Sequence, residues 1–171
     1  MNENPSSDAA ATHNLSVYVA NQPGALARIA QVFARRGYNI DSLVVSPSVD
    51  GRFSRMTITA KGSAEGLDQV IRQLSKLIDV QRCVEHTGED SIVRELALIK
   101  VAAGEEERTS ALQVADHFGA KTVDLTAHSM VVMATGNSDK IDALVRMLAK
   151  YRVIELVRTG KVVMARGDEA T

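Results

Sequence analysis

The sequence predicts an α+β chain that runs twice through the order βαββαβ, and three observations carry this. Strand-like apolar runs alternate with segments whose apolar residues recur at helical spacing. The letters repeat as well: Ile71-Arg72-Gln73-Leu74-Ser75-Lys76 lines up with Val145-Arg146-Met147-Leu148-Ala149-Lys150, and Phe33, Gly37, Asp41 and Leu43 are echoed by Phe118, Gly119, Asp124 and Leu125 at slightly different spacing. Between the halves lies one short polar stretch, Thr87-Gly88-Glu89-Asp90-Ser91. An internal duplication is the reading all three share.

Residues 1–13 are polar and Ala-rich, carry Glu3 and Asp8 but neither Lys nor Arg, and contain no apolar segment, which predicts a disordered tail and no targeting signal. An apolar strand over 15–20 follows. Pro23 is suited to preset φ for a first helical turn, and Gly24 admits a close neighbour. Ala25, Leu26, Ile29, Ala30 and Phe33 form one stripe of a helix that Arg35, Arg36 and Gly37 close. Strands over 40–46 and 53–60, joined by Pro47-Ser48-Val49-Asp50-Gly51, read as a hairpin. Ser63 caps a second helix with Leu67, Val70, Ile71, Leu74, Leu77 and Ile78 inward, and 80–85 is a fourth strand.

The same order then returns. A strand over 96–101 leads to a helix opened by Glu105, Glu106 and Glu107, with Ala111, Leu112, Ala115 and Phe118 inward and Gly119 at its end. Strands at 123–125 and 130–135 precede a helix capped by Asn137-Ser138-Asp139, with Ile141, Leu144, Val145 and Leu148 inward. A last extended stretch starts at Val153 and reaches Val163. The expected organisation is a tail at 1–13, a first domain at 14–87, a linker at 88–91 and a second domain at 92–171. Each domain is expected as a ferredoxin-like sandwich with both helices on one sheet face. The opposite sheet face needs a cover for its apolar residues, which predicts at least a homodimer.

Composition removes several function classes. Hydrophobic residues make up 45% of the 171, enough for a core, but aromatics are 4% and Trp is absent. With a net charge of −1 as well, the chain lacks both the stacking platforms and the basic surface of a nucleic-acid binder. No apolar run approaches the roughly 18 residues of a membrane span, so a cytoplasmic protein is expected. Cys83 is the sole cysteine, which excludes an internal disulfide, and its apolar surroundings predict a buried structural thiol. His13, His86, His117 and His128 show no metal-ligand spacing, and no phosphate-binding, zinc-protease or nucleophile-elbow motif is present. Glu105 to Glu107 point in different directions around a helix and suit its dipole better than shared acid–base chemistry. No catalytic residue and no metal ligand is assigned. Arg152, Arg158, Lys161 and Arg166 alternate with apolar residues, as a solvated strand face or a docking surface would.

What remains is the turn Asn21-Gln22-Pro23-Gly24-Ala25-Leu26, where a strand, a glycine and a helix N-terminus offer backbone N–H groups to a carboxylate with no catalytic side chain nearby. It resembles the effector loop of ACT domains, small modules that bind amino acids at subunit interfaces. Arg36-Gly37-Tyr38-Asn39-Ile40-Asp41-Ser42-Leu43, Ser54-Arg55-Met56-Thr57, Glu155-Leu156-Val157-Arg158-Thr159-Gly160 and Arg166-Gly167-Asp168 narrow the resemblance to the small, regulatory subunits of acetolactate (acetohydroxyacid) synthase, over residues 14–168.

The resemblance implies a chain without an active site of its own. Such a subunit binds a catalytic large subunit, raises its activity, and makes it sensitive to a branched-chain amino acid, usually valine. Thiamine diphosphate, Mg and FAD are implied only in that partner, which joins two pyruvates, or pyruvate and 2-oxobutyrate. By the same resemblance, effector contacts fall on Asn21, Gly24, Ala25 and Leu26 of one chain and on Asn39 and Ile40 of its dimer mate. An Asn side-chain oxygen suits an ammonium and Ile40 an aliphatic side chain, although Asn39 also fits a plain turn residue that tolerates an unusual backbone angle. Gln22-Pro23 replaces the Glu-Ser of some members, and a single regulatory repeat, where plant relatives have two, suits a bacterial form. A stand-alone ACT sensor acting on another enzyme or on a transcription factor would share the loop, but need not keep the second domain's ending.

Overall fold

The protein is described here from a computed structural model, which covers residues 11–86 and 90–168. The first half runs β1 (Ala11–Ala20), α1 (Ala25–Arg35), β2 (Ile40–Pro47), β3 (Phe53–Gly62), α2 (Ala64–Leu74) and β4 (Val80–His86). The second runs β5 (Ser91–Ala102), α3 (Glu105–His117), β6 (Lys121–Leu125), β7 (Ser129–Gly136), α4 (Ser138–Leu148) and β8 (Val153–Arg158), followed by β9 (Val162–Ala165). Both sheets are antiparallel and have the same strand order, β2-β3-β1-β4 and β6-β7-β5-β8, with β9 pairing β5 off that path. This is the ferredoxin-like α+β architecture read from the sequence, present twice.

Each core follows from two periods meeting. In the first unit Leu15, Val17 and Val19 alternate along β1 and Met56, Ile58 and Ala60 along β3, all on one sheet face. Against that face lie Ala25, Ile29 and Phe33 of α1, four residues apart, and Leu67, Val70 and Leu74 of α2. In the second unit Ala97, Ile99 and Val101 with Met130, Val132 and Ala134 meet Ala111 and Ala115 of α3 and Ile141, Leu144 and Leu148 of α4. Two helix starts are capped as their letters predict: Ser63 Oγ accepts from the Gly66 N–H, and Asn137 Oδ1 from the Lys140 N–H at 3.0 Å.

The structure corrects several boundaries. Of the tail expected at 1–13, residues 1–10 lie outside the described residues, but 11–13 are the first residues of β1, paired with 60–62 of β3. His13 is buried there, facing the Gly62 carbonyl through Nε2 and the Glu85 carboxylate through Nδ1, and these contacts hold the strand beyond its apolar run. Of the linker expected at 88–91, residues 88 and 89 lie outside the described residues, and Ser91 already opens β5, five residues before the expected start. Helix α2 stops at Leu74, not Ile78: the Ser75 hydroxyl donates to the Ile71 carbonyl, turns follow, and Ile78 is fully exposed. The last stretch is two strands, because Gly160 takes φ 85° between them.

By compactness the described residues form two units, those of 11–92 together with 163–168, and Val93–Val162. The expected second domain, 92–171, therefore gives up its last segment. Val163 is buried, and the Arg166 N–H donates to the Asp90 carbonyl at 3.0 Å.

The expectation of an apolar outer sheet face needs dividing as well. On the first sheet the centre of that face is polar, Asn14 and Ser16 of β1 beside Thr59 and Thr57 of β3, with Thr59 Oγ1 donating to Asn14 Oδ1 at 3.2 Å. On the second sheet Leu98 lies between Met133 and Val157, and the Lys100–Glu155 ion pair is the next rung.

Candidate functional site

The loop after β1 is a β-turn with a helix attached. Pro23 sits at the second position of the turn Gln22-Pro23-Gly24-Ala25 and not in the first helical turn as expected; the Ala25 N–H closes the turn on the Gln22 carbonyl at 3.3 Å. Gly24 has φ 85° and ψ −11°, the angles of a type II turn's third position, which L residues rarely adopt. Gly24 is also the N-cap of α1, with its carbonyl accepting from the Arg28 N–H at 3.1 Å. The donor set expected from 24–26 is thereby reduced by one. Ala25 spends its N–H in the turn and is itself buried, whereas the N–H groups of Gly24 and Leu26 make no hydrogen bond among the described residues. Leu26 was expected in the core stripe, but the stripe is carried by 25, 29 and 33, and Leu26 is 41% exposed beside the turn.

Two neighbouring turns hold this loop. On one side the Asn21 N–H donates to the Arg52 carbonyl at 2.9 Å, and Asn21 Nδ2 to the Gly51 carbonyl at 3.0 Å. That orients the amide, so Asn21 Oδ1 remains as an acceptor. On the other side stands Asp79, in the turn before β4, with a side chain only 5% exposed. Gln22 Nε2 donates to its Oδ1, and Arg28 donates Nε to its Oδ2 at 2.5 Å and places Nη2 2.5 Å from the same oxygen. Sequence reading missed Asp79 and the roles of Gln22 and Arg28. Asp79 is 57 positions from Gln22, and an Asp in a turn carries no local sign of a distant partner.

Asn39 and Ile40 lie beyond the far end of α1. The helix has 11 residues, or about 16 Å at 1.5 Å per residue, so one chain brings Asn21, Gly24, Ala25 and Leu26 together but not Asn39 and Ile40 with them. Gly62 and Gly66 leave room for the Tyr38 ring, which a Cβ on either would overlap, and this seats the chain just before Asn39. Asn39 is exposed; its Nδ2 donates to Asp41 Oδ1 at 3.2 Å, and Lys61 pairs with Asp41 at 3.2 Å. Because a carboxylate only accepts, the Asn39 amide is turned with Oδ1 outward. Among the described residues no non-glycine has positive φ, so Asn39 is not placed there for an unusual backbone angle. Ile40 is half-buried against the first core, at a bulge opposite Ala60.

A groove of about 650 Å³ lies elsewhere, on the outer sheet face beside the β2–β3 turn, lined by Tyr18, Ser46, Arg55 and Arg82 among others and by none of the six expected contacts. Cys83, expected as a buried thiol, is half-buried against the first core, and desolvation there pushes its thiol up to about 12. Among the described residues no helix is long and apolar enough to cross a membrane, and no three His, Cys, Asp or Glu gather as metal ligands.

A ferredoxin-like βαββαβ unit with a glycine turn at the head of its first helix defines the class of ACT regulatory modules. Comparison with known proteins agrees and goes further. Residues 15–82 match the family model described as the AHAS small subunit-like ACT domain, and residues 94–167 that of the small subunit of acetolactate synthase. A probable acetolactate synthase small subunit from Archaeoglobus fulgidus is 43% identical over 92% of this chain and 98% of its own length. The acetolactate synthase small subunit of Mycobacterium leprae is 44% identical over 91% and 92%. The crystal structure of the acetolactate synthase small subunit from Thermotoga maritima superposes with a TM-score of 0.84 at 33% identity, covering 93% of this chain and 99% of that one. The chain belongs to the acetolactate synthase small subunit family.

Proposed function

We propose that the chain is the non-catalytic regulatory subunit of a thiamine-diphosphate-dependent acetolactate synthase, the cytoplasmic enzyme that joins two pyruvates into 2-acetolactate and CO2. It binds the catalytic large subunit, raises its turnover, and confers feedback inhibition by valine or a related branched-chain amino acid. Thiamine diphosphate, Mg and FAD belong to the large subunit.

The observation that carries this reading is the Gln22–Ala25 turn. It presents two unspent N–H groups, from Gly24 and Leu26, at the positive end of α1, whose first turn holds no acid. These groups suit a carboxylate, the exposed Leu26 an aliphatic side chain, and the outward Oδ1 of Asn21 or Asn39 an ammonium. The separation of the two clusters across α1 supports a homodimer. A single amino acid touches both only where the turn of one protomer meets Asn39 and Ile40 of its partner, and its binding then couples to the state of the whole assembly.

The test is reconstitution. The pure chain is expected to form no acetolactate from pyruvate, and to raise the rate of its large subunit when mixed with it. Asn39→Ala is expected to weaken effector binding roughly ten- to hundredfold, the worth of one charge-assisted hydrogen bond, and to leave activation near normal. Acetolactate made by the chain alone rules the reading out, as does a large subunit indifferent to its presence. An Asn39→Ala chain that melts lower but binds the effector unchanged removes Asn39 from the site.

A further inference from the structure

The guanidinium of Arg28 is divided between two tasks. Its Nε and Nη2 face Asp79, the buried acid in the turn before β4. Its Nη1 lies against the effector turn: a Cβ built on Gly24 would stand 3.0 Å from it. Gly24 therefore serves twice, taking a left-handed angle and leaving open the space into which Nη1 projects. Arg28 is 43% exposed and reachable by a ligand, whereas Asp79 is sealed, with Gln22 occupying its other oxygen. Both carboxylate oxygens are filled, so Asp79 does not compete for a ligand's ammonium. A side-on pairing through Nε and Nη2 leaves the end of the guanidinium for a second acceptor, in the fork geometry that suits a carboxylate.

We propose that Arg28 is the charge partner of the effector's carboxylate, with Asp79 as the positioning residue that holds the guanidinium beside the Gly24 and Leu26 N–H groups. The proposal rests on the amino-acid reading of this turn and assigns to the site the full positive charge of Arg28. The ligand class follows: an aliphatic amino acid with a free carboxylate, discriminated from its uncharged carboxamide.

The experiment is calorimetric titration of the full chain, wild type and variant, with valine, leucine, isoleucine and valinamide, beside a thermal melt. Wild type is expected to prefer valine over valinamide. In the double variant Arg28→Gln/Asp79→Asn, which removes both charges together and keeps hydrogen-bonding side chains, that preference is expected to collapse. Valine affinity falls roughly ten- to hundredfold while that for valinamide hardly moves. Should the double variant melt early, Arg28→Lys gives the same readout, since it keeps the charge Asp79 faces but loses the fork; its valine preference is expected to drop several-fold. A preference for valine that survives intact in a folded variant overturns the proposal and leaves the amino-acid reading standing. Absence of binding by all three amino acids to wild type overturns both.

Discussion

The two repeats share a scaffold and differ in what stands at the head of the first helix. In each, the last residue of the central strand donates to the residue before the closing strand, Ala20 to Asp79 and Ala102 to Arg152, both at 2.8 Å. In each, an arginine follows the helix N-cap by four positions, Arg28 after Gly24 and Arg108 after Gly104. There the likeness ends. Gly24 has φ 85°, whereas Gly104 is extended at φ −70° and ψ 178°. The first turn of α1 has no acid; that of α3 has Glu105, Glu106 and Glu107. Arg28 meets a buried carboxylate, whereas Arg108 donates Nη2 to the Ala127 carbonyl at 2.6 Å and finds an arginine, not an acid, at the position matching Asp79. One helix N-terminus is kept available to an anion, and the other is already supplied with three carboxylates. The fold provides the dipole, and the side chains decide whether a ligand can use it.

The sharpest way to break this contrast is at the paired positions. Asp79→Ala removes the acceptor shared by Gln22 and Arg28 and is expected to cost about 2 kcal/mol. The figure sits below that for a fully buried pair because half-exposed Arg28 regains water. Arg152→Ala, an exposed side chain at the equivalent place, is expected to change stability by less than about 0.5 kcal/mol. Urea unfolding of both variants measures the difference; equal losses would mean that Asp79 is no more a keystone than its counterpart.

The glycines give a smaller and cleaner contrast. Gly24→Ala forces an L residue into the left-handed region and presses a methyl against Arg28 Nη1, for about 1–2 kcal/mol. Gly104→Ala meets nothing within 4 Å and needs no unusual angle, so it is expected to stay within about 0.5 kcal/mol of wild type. A Gly104 variant as damaged as the Gly24 variant removes the conformational distinction between the two junctions.

These contrasts mark where the sequence was readable. The four helices and the two cores were legible because 25, 29 and 33, or 141, 144 and 148, repeat at a period only a half-buried helix satisfies. The turn was legible from Pro23-Gly24 because few other letters allow its angles, although Pro23 was placed in the first helical turn and in fact precedes Ala25, where α1 starts. Strand ends were not legible. Ala11 and Ser91 open their strands by backbone pairing and through partners far along the chain, which no local pattern announces. The end of α2 was missed because Leu77 and Ile78 continue the helical period by chance while Ser75 has already turned the chain. Asp79 was missed for the same reason at longer range: its meaning lies in Gln22 and Arg28, 57 and 51 positions back along the chain.

The smallest expected effect also belongs to one unit alone. His86 closes β4 on the outer face of the first sheet, with Nε2 buried and no hydrogen-bond partner among the described residues. Burial first, then the charges of Arg82 and Arg55, hold its imidazole below the ordinary value. That value is about 6.5 in an unfolded chain. As the pH falls, the unfolded form therefore takes up the proton before the native form does. The contribution of His86 to stability is complete above about pH 6.5 and declines as the pH drops from there through the depressed native value. Half-exposure and the nearby solvent keep the effect small. Hydrogen exchange between pH 7 and 5 resolves it, since amides of β4 and β1 are expected to open more readily at the acid end than those of β8 and β5. His86→Gln, neutral at every pH, is expected to flatten that dependence in the first unit and leave the second as it was. A dependence that survives the substitution places the titrating group elsewhere.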